Sequence, residues 1–187
     1  MLTDDVIAHY KAAWGQPSRT ADFERDGYRL QVFKWSANQN PEGVNLYATS
    51  GLSAYALAHR DLRHRIELYV GLEPAVDDVA RSLALLALVT LVDKLTIGSD
   101  HTVQFPEPLW SGTAMRTFLI SAPTPEILPA LSPREGGLHV DFHPVIPIYD
   151  SELQFKRDHS ADDLIERWRA HAMPYWNPNR EADPHAP

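Results

Sequence analysis

The residues with the clearest potential for chemistry are His139, Asp141 and His143, in the run His139-Val-Asp141-Phe-His143. Residues at positions i, i+2 and i+4 of a strand share one face, and imidazole and carboxylate groups are common metal ligands. At about 3.3 Å per residue, however, the backbones of the two histidines would lie about 13 Å apart, too far to share one ion in a straight strand. His139 and Asp141 could still chelate a metal with a third ligand from elsewhere in the chain.

The same run also fits a strand with one solvated face. Leu138, Val140 and Phe142 alternate with the three polar residues, which is the pattern of a half-buried strand. We therefore predict no specific metal site. An unrecognised metal-dependent or hydrolytic enzyme that uses His139 and Asp141 is the alternative function.

No known catalytic motif occurs elsewhere in the sequence. The chain has nine histidines but lacks a Gly-x-Ser-x-Gly elbow, a His-Glu-x-x-His zinc motif and a glycine-rich phosphate loop. Ser50 and Ser53 could pair with His59 as hydroxyl and base only if a turn folded them together, and a capped turn is the favoured interpretation. We predict no catalytic residue and no cofactor.

Composition excludes several further classes of function. The chain has 187 residues and no cysteine, which removes disulfide frameworks, thiolate nucleophiles and cysteine-ligated metals. Seventeen Lys and Arg against 25 Asp and Glu give 17 − 25 = −8, and the sequence pI is about 5.5. Nucleic-acid binders concentrate positive charge, so we predict no nucleic-acid partner.

The N-terminal sequence does not resemble a secretory signal. Met1-Leu-Thr-Asp-Asp-Val carries acidic residues where a signal would carry lysines, and no apolar run follows it. The most apolar stretch, Ser82 to Val92, has about half the length that spans a bilayer. We therefore predict a cytoplasmic protein with no membrane segment, and a core helix over this stretch.

Three helices are predicted from capping residues and apolar periodicity. The first opens at Thr3-Asp4-Asp5 and closes at Gly15, and residues 16–27 are predicted to form a loop. The longest runs from Pro74 to Ile97 with an apolar surface broad enough to be buried against a sheet. Ser160 to Asp163 cap a C-terminal helix.

Six segments have the composition and alternation of strands. They are residues 28–35, 44–48, 64–72, 101–105, 115–121 and 138–149. With the helices they predict a single α/β (α+β-like) domain over residues 1–187, a sandwich of a mixed β-sheet flanked by helices. Residues 176–187 form a proline-rich tail, predicted to be loose or irregularly docked.

Four short motifs, in this order, resemble those of the Suppressor of Fused domain family. The strongest pair is Thr49-Ser50-Gly51-Leu52-Ser53 followed by the strand His64-Arg65-Ile66-Glu67-Leu68-Tyr69-Val70-Gly71-Leu72, in which Ile66 stands where the family commonly has a small residue. Downstream, Gly98-Ser-Asp-His101-Thr-Val resembles the strand after the family's long helix. Val145-Ile-Pro147-Ile-Tyr-Asp-Ser-Glu152 resembles its closing segment. The resemblance spans about residues 28–170.

The resemblance implies a protein-binding module with no established enzymatic activity. Animal members have a second domain and sequester Hedgehog-pathway transcription factors, an arrangement for which this chain is too short. Stand-alone bacterial members resemble immunity proteins that bind and block a cognate polymorphic toxin, and this is the function we predict. The −8 charge would steer a basic partner, and five tryptophans and seven tyrosines include candidate anchors. The partner's identity, the binding surface and the oligomeric state stay open.

The family motif supplies the candidate partner-binding residues. They are Thr49, Ser50, Gly51, Ser53 and Glu67. Four of them also have a structural interpretation: a turn angle at Gly51, hydroxyl caps at Thr49 and Ser53, and for Glu67 a charge partner such as Arg65 or Arg63. The sequence favours the structural interpretation for Gly51 and leaves the other positions undecided.

Overall fold

The computed structural model describes residues 2–58, 61–133 and 137–184. Seven strands and four α-helices lie in this part of the chain, together with short 3₁₀ helices at Ala37–Gln39 and Leu52–Ala54. In chain order the elements are α1 (Leu2–Trp14), β1 (Arg19–Arg25), β2 (Tyr28–Trp35), β3 (Asn45–Ser50), β4 (His64–Leu72), α2 (Val79–Val92), β5 (Thr102–Gln104), β6 (Thr117–Ile120), β7 (His139–Ile148), α3 (Asp150–Asp158) and α4 (Ala161–Ala170).

All seven strands form one mixed sheet in the order β1-β2-β3-β4-β7-β6-β5. Neighbouring strands are antiparallel except for β4 and β7, which pair in parallel with Ile66 opposite Asp141. A parallel pair needs a crossover connection, and α2 with β5 and β6 supplies it. The predicted mixed sheet flanked by helices is confirmed.

Helix α2 packs on one face of the sheet. Its leucines at positions 83, 86 and 91 pack with apolar side chains of β2, β4 and β6 such as Val32, Leu68 and Phe118. Leu86 is fully buried, and burial of a leucine side chain contributes about 1.5–3 kcal/mol. This cluster is the largest part of the core.

The opposite face is covered by two separate groups of helices. Helix α1 packs its aromatic residues on β2 and β7, where Trp14 and Trp35 meet edge to face with ring centroids 5.2 Å apart. Helices α3 and α4 pack on the other end of this face, with Trp168 and Leu164 against Ile146. A strip of sheet therefore lies between the two groups.

Strands β2 and β4 have the predicted bounds, and the C-terminal helix has the predicted N-cap. The side-chain oxygen of Ser160 accepts a hydrogen bond from the backbone N–H of Asp163 at 3.0 Å. Helix α1 begins at Leu2, slightly before the predicted cap. Clear alternation and a strong N-cap residue made these elements predictable.

The predicted loop at residues 16–27 is wrong, because residues 19–25 form strand β1. It pairs antiparallel with β2, with Arg19 opposite Lys34 and Arg25 opposite Tyr28. As the edge strand it leaves most side chains exposed, so it lacks the apolar alternation by which strands are recognised.

The predicted bounds of the longest helix, Pro74 to Ile97, are also wrong. The helix begins at Val79, after turns whose N–H groups donate to carbonyls three residues back. Asp77, which lies within the predicted helix, bonds to side chains of β1, β2 and β3. The helix ends at Val92, and Lys94 has a φ of 53°.

Helix α3 lies where the sequence analysis predicts no element. It follows β7 directly, and the Glu152 side chain accepts a hydrogen bond from the Tyr149 N–H at 2.9 Å. The tail from residue 176 is an irregular segment that docks on the domain, where Asp183 is buried. Arg180 is buried and forms hydrogen bonds at 2.5 and 2.8 Å to the Glu152 carboxylate.

Candidate functional site

Glu67, on β4, is the centre of the family motif. Its side chain is fully buried, and the carboxylate accepts four hydrogen bonds from the end of β3 and the turn that follows it. Oε2 accepts from the Thr49 hydroxyl at 2.6 Å. Oε1 accepts from the N–H groups of Gly51 and Ser53 at 2.9 and 3.0 Å, and from the Ser53 hydroxyl at 2.6 Å. The motif therefore closes around one carboxylate.

The turn takes its shape from Gly51. This residue has a φ of 120°, which L side chains rarely adopt, and a Cβ there would lie 3.1 Å from the Arg29 carbonyl oxygen. Thr49 ties the turn to β4, because its hydroxyl oxygen accepts from the Leu68 N–H at 2.9 Å. Ser50 is also buried, and its hydroxyl has no hydrogen-bond partner among the described residues.

The predicted charge partner of Glu67 is wrong. In the described chain the carboxylate meets hydroxyl and N–H donors of the turn, and neither Arg63 nor Arg65 bonds to it. Burial raises the pKa of Glu67, and the four hydrogen bonds act in the opposite direction. These donors can accommodate Glu67 in either its charged or its protonated state. When Glu67 is protonated, the Thr49 hydroxyl can donate instead to the Leu68 carbonyl, which lies 3.3 Å away, and its oxygen can accept the Glu67 proton.

All five motif residues are buried, so their side chains shape the turn from within. The outer side of the turn is accessible. Ser50 and Gly51 line an open cleft of about 700 Å³, with Phe23, Arg29 and Tyr55 among the other lining residues. The role of the motif in partner binding stays a prediction.

The histidine and aspartate residues of β7 separate into two environments. His139 Nε2 lies 2.9 Å from Asp141 Oδ1 on the exposed end of the strand. His143 is 3% exposed, and its Nδ1 lies 2.9 Å from the Ser121 carbonyl oxygen. The predicted solvated face is therefore wrong for His143, because the segment after β6 covers that part of β7.

His64, at the start of β4, joins the exposed pair. Its Nε2 lies 3.4 Å from Asp141 Oδ2, and its ring centroid lies 5.9 Å from that of His139. The sequence alone does not place His64 here, since only the parallel register sets residue 64 opposite residue 139. Within the described ranges, no three His, Cys, Asp or Glu residues are arranged to hold a metal ion. His59, considered as a base for the turn serines, lies outside the described residues.

A protein-family model described as Suppressor of fused protein (SUFU) matches residues 26–181. The chain belongs to the SUFU family. The match includes the motif turn, Glu67 and the buried pair of Glu152 and Arg180. A comparison with curated proteins finds no match.

Solved SUFU structures share the fold. A structure described as a SUFU homologue from Neisseria gonorrhoeae FA 1090 has a TM-score of 0.72 and 21% identity, over 96% of this chain and 95% of that one. The structure of a Sufu–Fu complex gives a TM-score of 0.67 at 13% identity, over 97% and 90% of the two chains. Drosophila Suppressor of Fused gives 0.65 at 13% identity, and the match covers 97% of this chain but 50% of that protein.

The described part of the chain contains four α-helices, the longest of which has 14 residues. None combines the length and the apolar character that a membrane crossing requires.

Proposed function

We propose that this SUFU-family chain is a cytoplasmic, non-enzymatic binding protein, an immunity or sequestering factor that blocks a partner such as a polymorphic toxin. The family membership over residues 26–181 carries the proposal. A similar solved structure is that of Sufu in complex with Fu, which supports binding of a protein as the mode of action.

The charge of the chain supports a basic partner. A net charge of −8 creates a field that attracts positive surfaces over about 8–10 Å at physiological ionic strength. Two exposed aromatic residues, Tyr175 and Trp176, are of the types enriched at binding hot spots. We propose that charge accelerates encounter and that exposed aromatic side chains hold the complex.

We also propose an indirect role for the motif residues. Thr49, Gly51, Ser53 and Glu67 fix the turn through buried hydrogen bonds. Partner binding would then involve the outer side of the turn and its cleft, whose shape these bonds maintain. Exchanging a buried motif residue would reduce affinity by distorting this surface.

Binding kinetics with the product of a neighbouring toxin gene test the proposed function. The association rate should fall as salt rises, because screening weakens long-range attraction, and the dissociation rate should change much less. Co-expression should protect cells from the toxin. Absence of both binding and protection for every neighbouring toxin, together with turnover of a small substrate that His139→Ala abolishes, would overturn the proposal.

The alternative function, a metal-dependent or hydrolytic enzyme, is favoured by one observation. Asp141 lies between His139 and His64, at 2.9 and 3.4 Å from their Nε2 atoms. Elemental analysis of the dialysed protein separates the two functions. We expect less than stoichiometric metal, unchanged in His139→Ala, whereas a stoichiometric metal lost in that variant would support the enzyme.

A further inference from the structure

The strip of sheet between the two helical groups forms the floor of a groove. Its volume is about 500 Å³, which is within the range of ligand pockets. Leu46 of β3, Tyr69 and Gly71 of β4, and Ile146 of β7 are among its lining residues. At Gly71 a Cβ would lie 2.9 Å from the Val44 side chain, so the glycine lets Val44 pack closely over this part of the floor.

The wall of the groove on the side of α4 is an aromatic series that leads from the core to the surface. The ring of Trp168, which is buried, stacks on Tyr175 with centroids 5.9 Å apart. Tyr175 meets Trp176 edge to face at 5.2 Å. The backbone fixes this rim, because the Glu73 N–H donates to the Trp176 carbonyl at 3.0 Å.

The exposure of this rim is unusual for the described chain. Tyr175 and Trp176 are 41% and 42% exposed, and the other exposed large apolar side chains are two leucines, Leu62 and Leu85. Neither leucine lines the groove. Contiguous exposed aromatic surface beside an apolar groove is characteristic of a binding site.

Two charged residues that line the groove, Arg169 and Glu42, differ in their ion pairs. Arg169 has an acidic neighbour, Glu166, at 3.5 Å. Glu42, which also lines the groove, has no ion pair among the described residues. The groove therefore offers an apolar surface with one available negative charge.

We propose that this groove binds an extended apolar segment of a partner protein that carries a lysine or arginine beside its apolar residues. Apolar side chains of the segment would pack on the sheet floor and against Tyr175 and Trp176. Its basic side chain would pair with Glu42, in keeping with the acidic charge of the whole chain. This inference rests on the proposed binding function and adds to the turn cleft a second contact surface, together with the chemistry of the partner segment that it would bind.

Random dodecapeptides displayed on phage are the probe for this proposal. Selection on the full-length protein should enrich apolar sequences with an adjacent lysine or arginine. A synthetic copy of the enriched peptide should bind Trp176→Ala at least about tenfold more weakly, because exposed tryptophans at binding sites carry much of the affinity. The control Leu85→Ala also removes an exposed apolar side chain and should bind within about twofold of wild type.

A charge exchange tests the basic residue of the segment separately. Glu42→Lys should weaken peptide binding about fivefold or more, whereas Glu107→Lys makes the same change in net charge at an exposed residue that does not line the groove. Unchanged circular dichroism and melting temperature would show that all four variants fold.

Three results obtained without the toxin would overturn the groove proposal. They are a failure to enrich any peptide, equal binding by Trp176→Ala, and a dimer that Trp176→Ala dissociates, since the occupant would then be a second copy of this chain. If the toxin partner bound Trp176→Ala as tightly as wild type, the proposed function would stand and the groove would be excluded. If no toxin bound wild type but selected peptides did, the groove would stand and the immunity role would fail.

Discussion

Replacing Glu67 by leucine should destabilise the protein by about 2–5 kcal/mol at pH 7, although leucine is apolar and similar in size. The substitution leaves four buried donors without their acceptor. The Thr49 hydroxyl can turn to the Leu68 carbonyl, 3.3 Å away, but the N–H groups of Gly51 and Ser53 are fixed by the backbone. Two unsatisfied N–H groups cost about 2–6 kcal/mol, and loss of a buried carboxylate offsets part of this.

Glu67→Gln is the matched control. Its amide oxygen can accept the bonds now made to Oε1, and its amide nitrogen can donate to Thr49. We expect a loss of about 1 kcal/mol, from one N–H that has no acceptor. Urea unfolding followed by circular dichroism gives both free energies. A leucine variant within about 0.5 kcal/mol of wild type would refute the argument that this carboxylate holds the turn.

The difference in stability between wild type and Glu67→Gln should depend on pH. Burial raises the pKa of Glu67 in the folded protein, so the folded chain keeps a proton that the unfolded chain has lost. The contribution of Glu67 to the free energy of unfolding is full below the ordinary glutamate pKa of about 4.3 and is lost as pH rises through the folded pKa. Relative to Glu67→Gln, wild type should therefore become less stable as pH rises from about 4 to 7. The opposite slope would mean that the hydrogen bonds outweigh burial.

Two further predictions concern the core and the docked tail. Leu86→Asp, at a fully buried position of α2, should cost at least about 4 kcal/mol, as measured by thermal melting. Leu85→Asp, at a position that is 36% exposed, should cost less than about half as much in that measurement. Arg180→Ala should cost about 3–5 kcal/mol in urea unfolding because Glu152 is left buried without its partner, whereas the exposed Arg169→Ala should change stability by less than about 0.5 kcal/mol. Equal losses in either pair would contradict the burial described here.

The fold was predictable where one local pattern dominates. Strands β2 and β4 alternate apolar and polar or small residues, and Ser160 is a strong helix cap, so their positions follow from the sequence. Strand β1 was missed because most of its side chains are exposed, and the half-buried Ala21 and Phe23 alone form too short an apolar alternation. The start of α2 was misplaced because Asp77 forms hydrogen bonds with strand side chains such as Tyr47, and the sequence does not show this tertiary contact.

The candidate site was predictable only as a list of residues. The family motif identifies Thr49, Gly51, Ser53 and Glu67. The sequence does not decide whether a buried glutamate pairs with an arginine or accepts hydrogen bonds from hydroxyl and N–H groups. The groove was not predicted from the sequence. Its lining comes from β3, β4, β7, α4 and a tail expected to be loose or irregular, and these segments meet only in the folded chain.

The parallel pairing of β4 with β7 also sets the order in which the sheet can be completed during synthesis. Residue 64 pairs with residue 139, so the half made of β1–β4 cannot join β5 and β6 until residues 139–148 have left the ribosome. Until then β4 and β6 each present an unpaired edge, and such edges pair readily with other chains. A chain cut short before residue 139 would contain the whole motif turn, whose bonds lie within residues 49–68, yet it would aggregate through those edges rather than bind a partner.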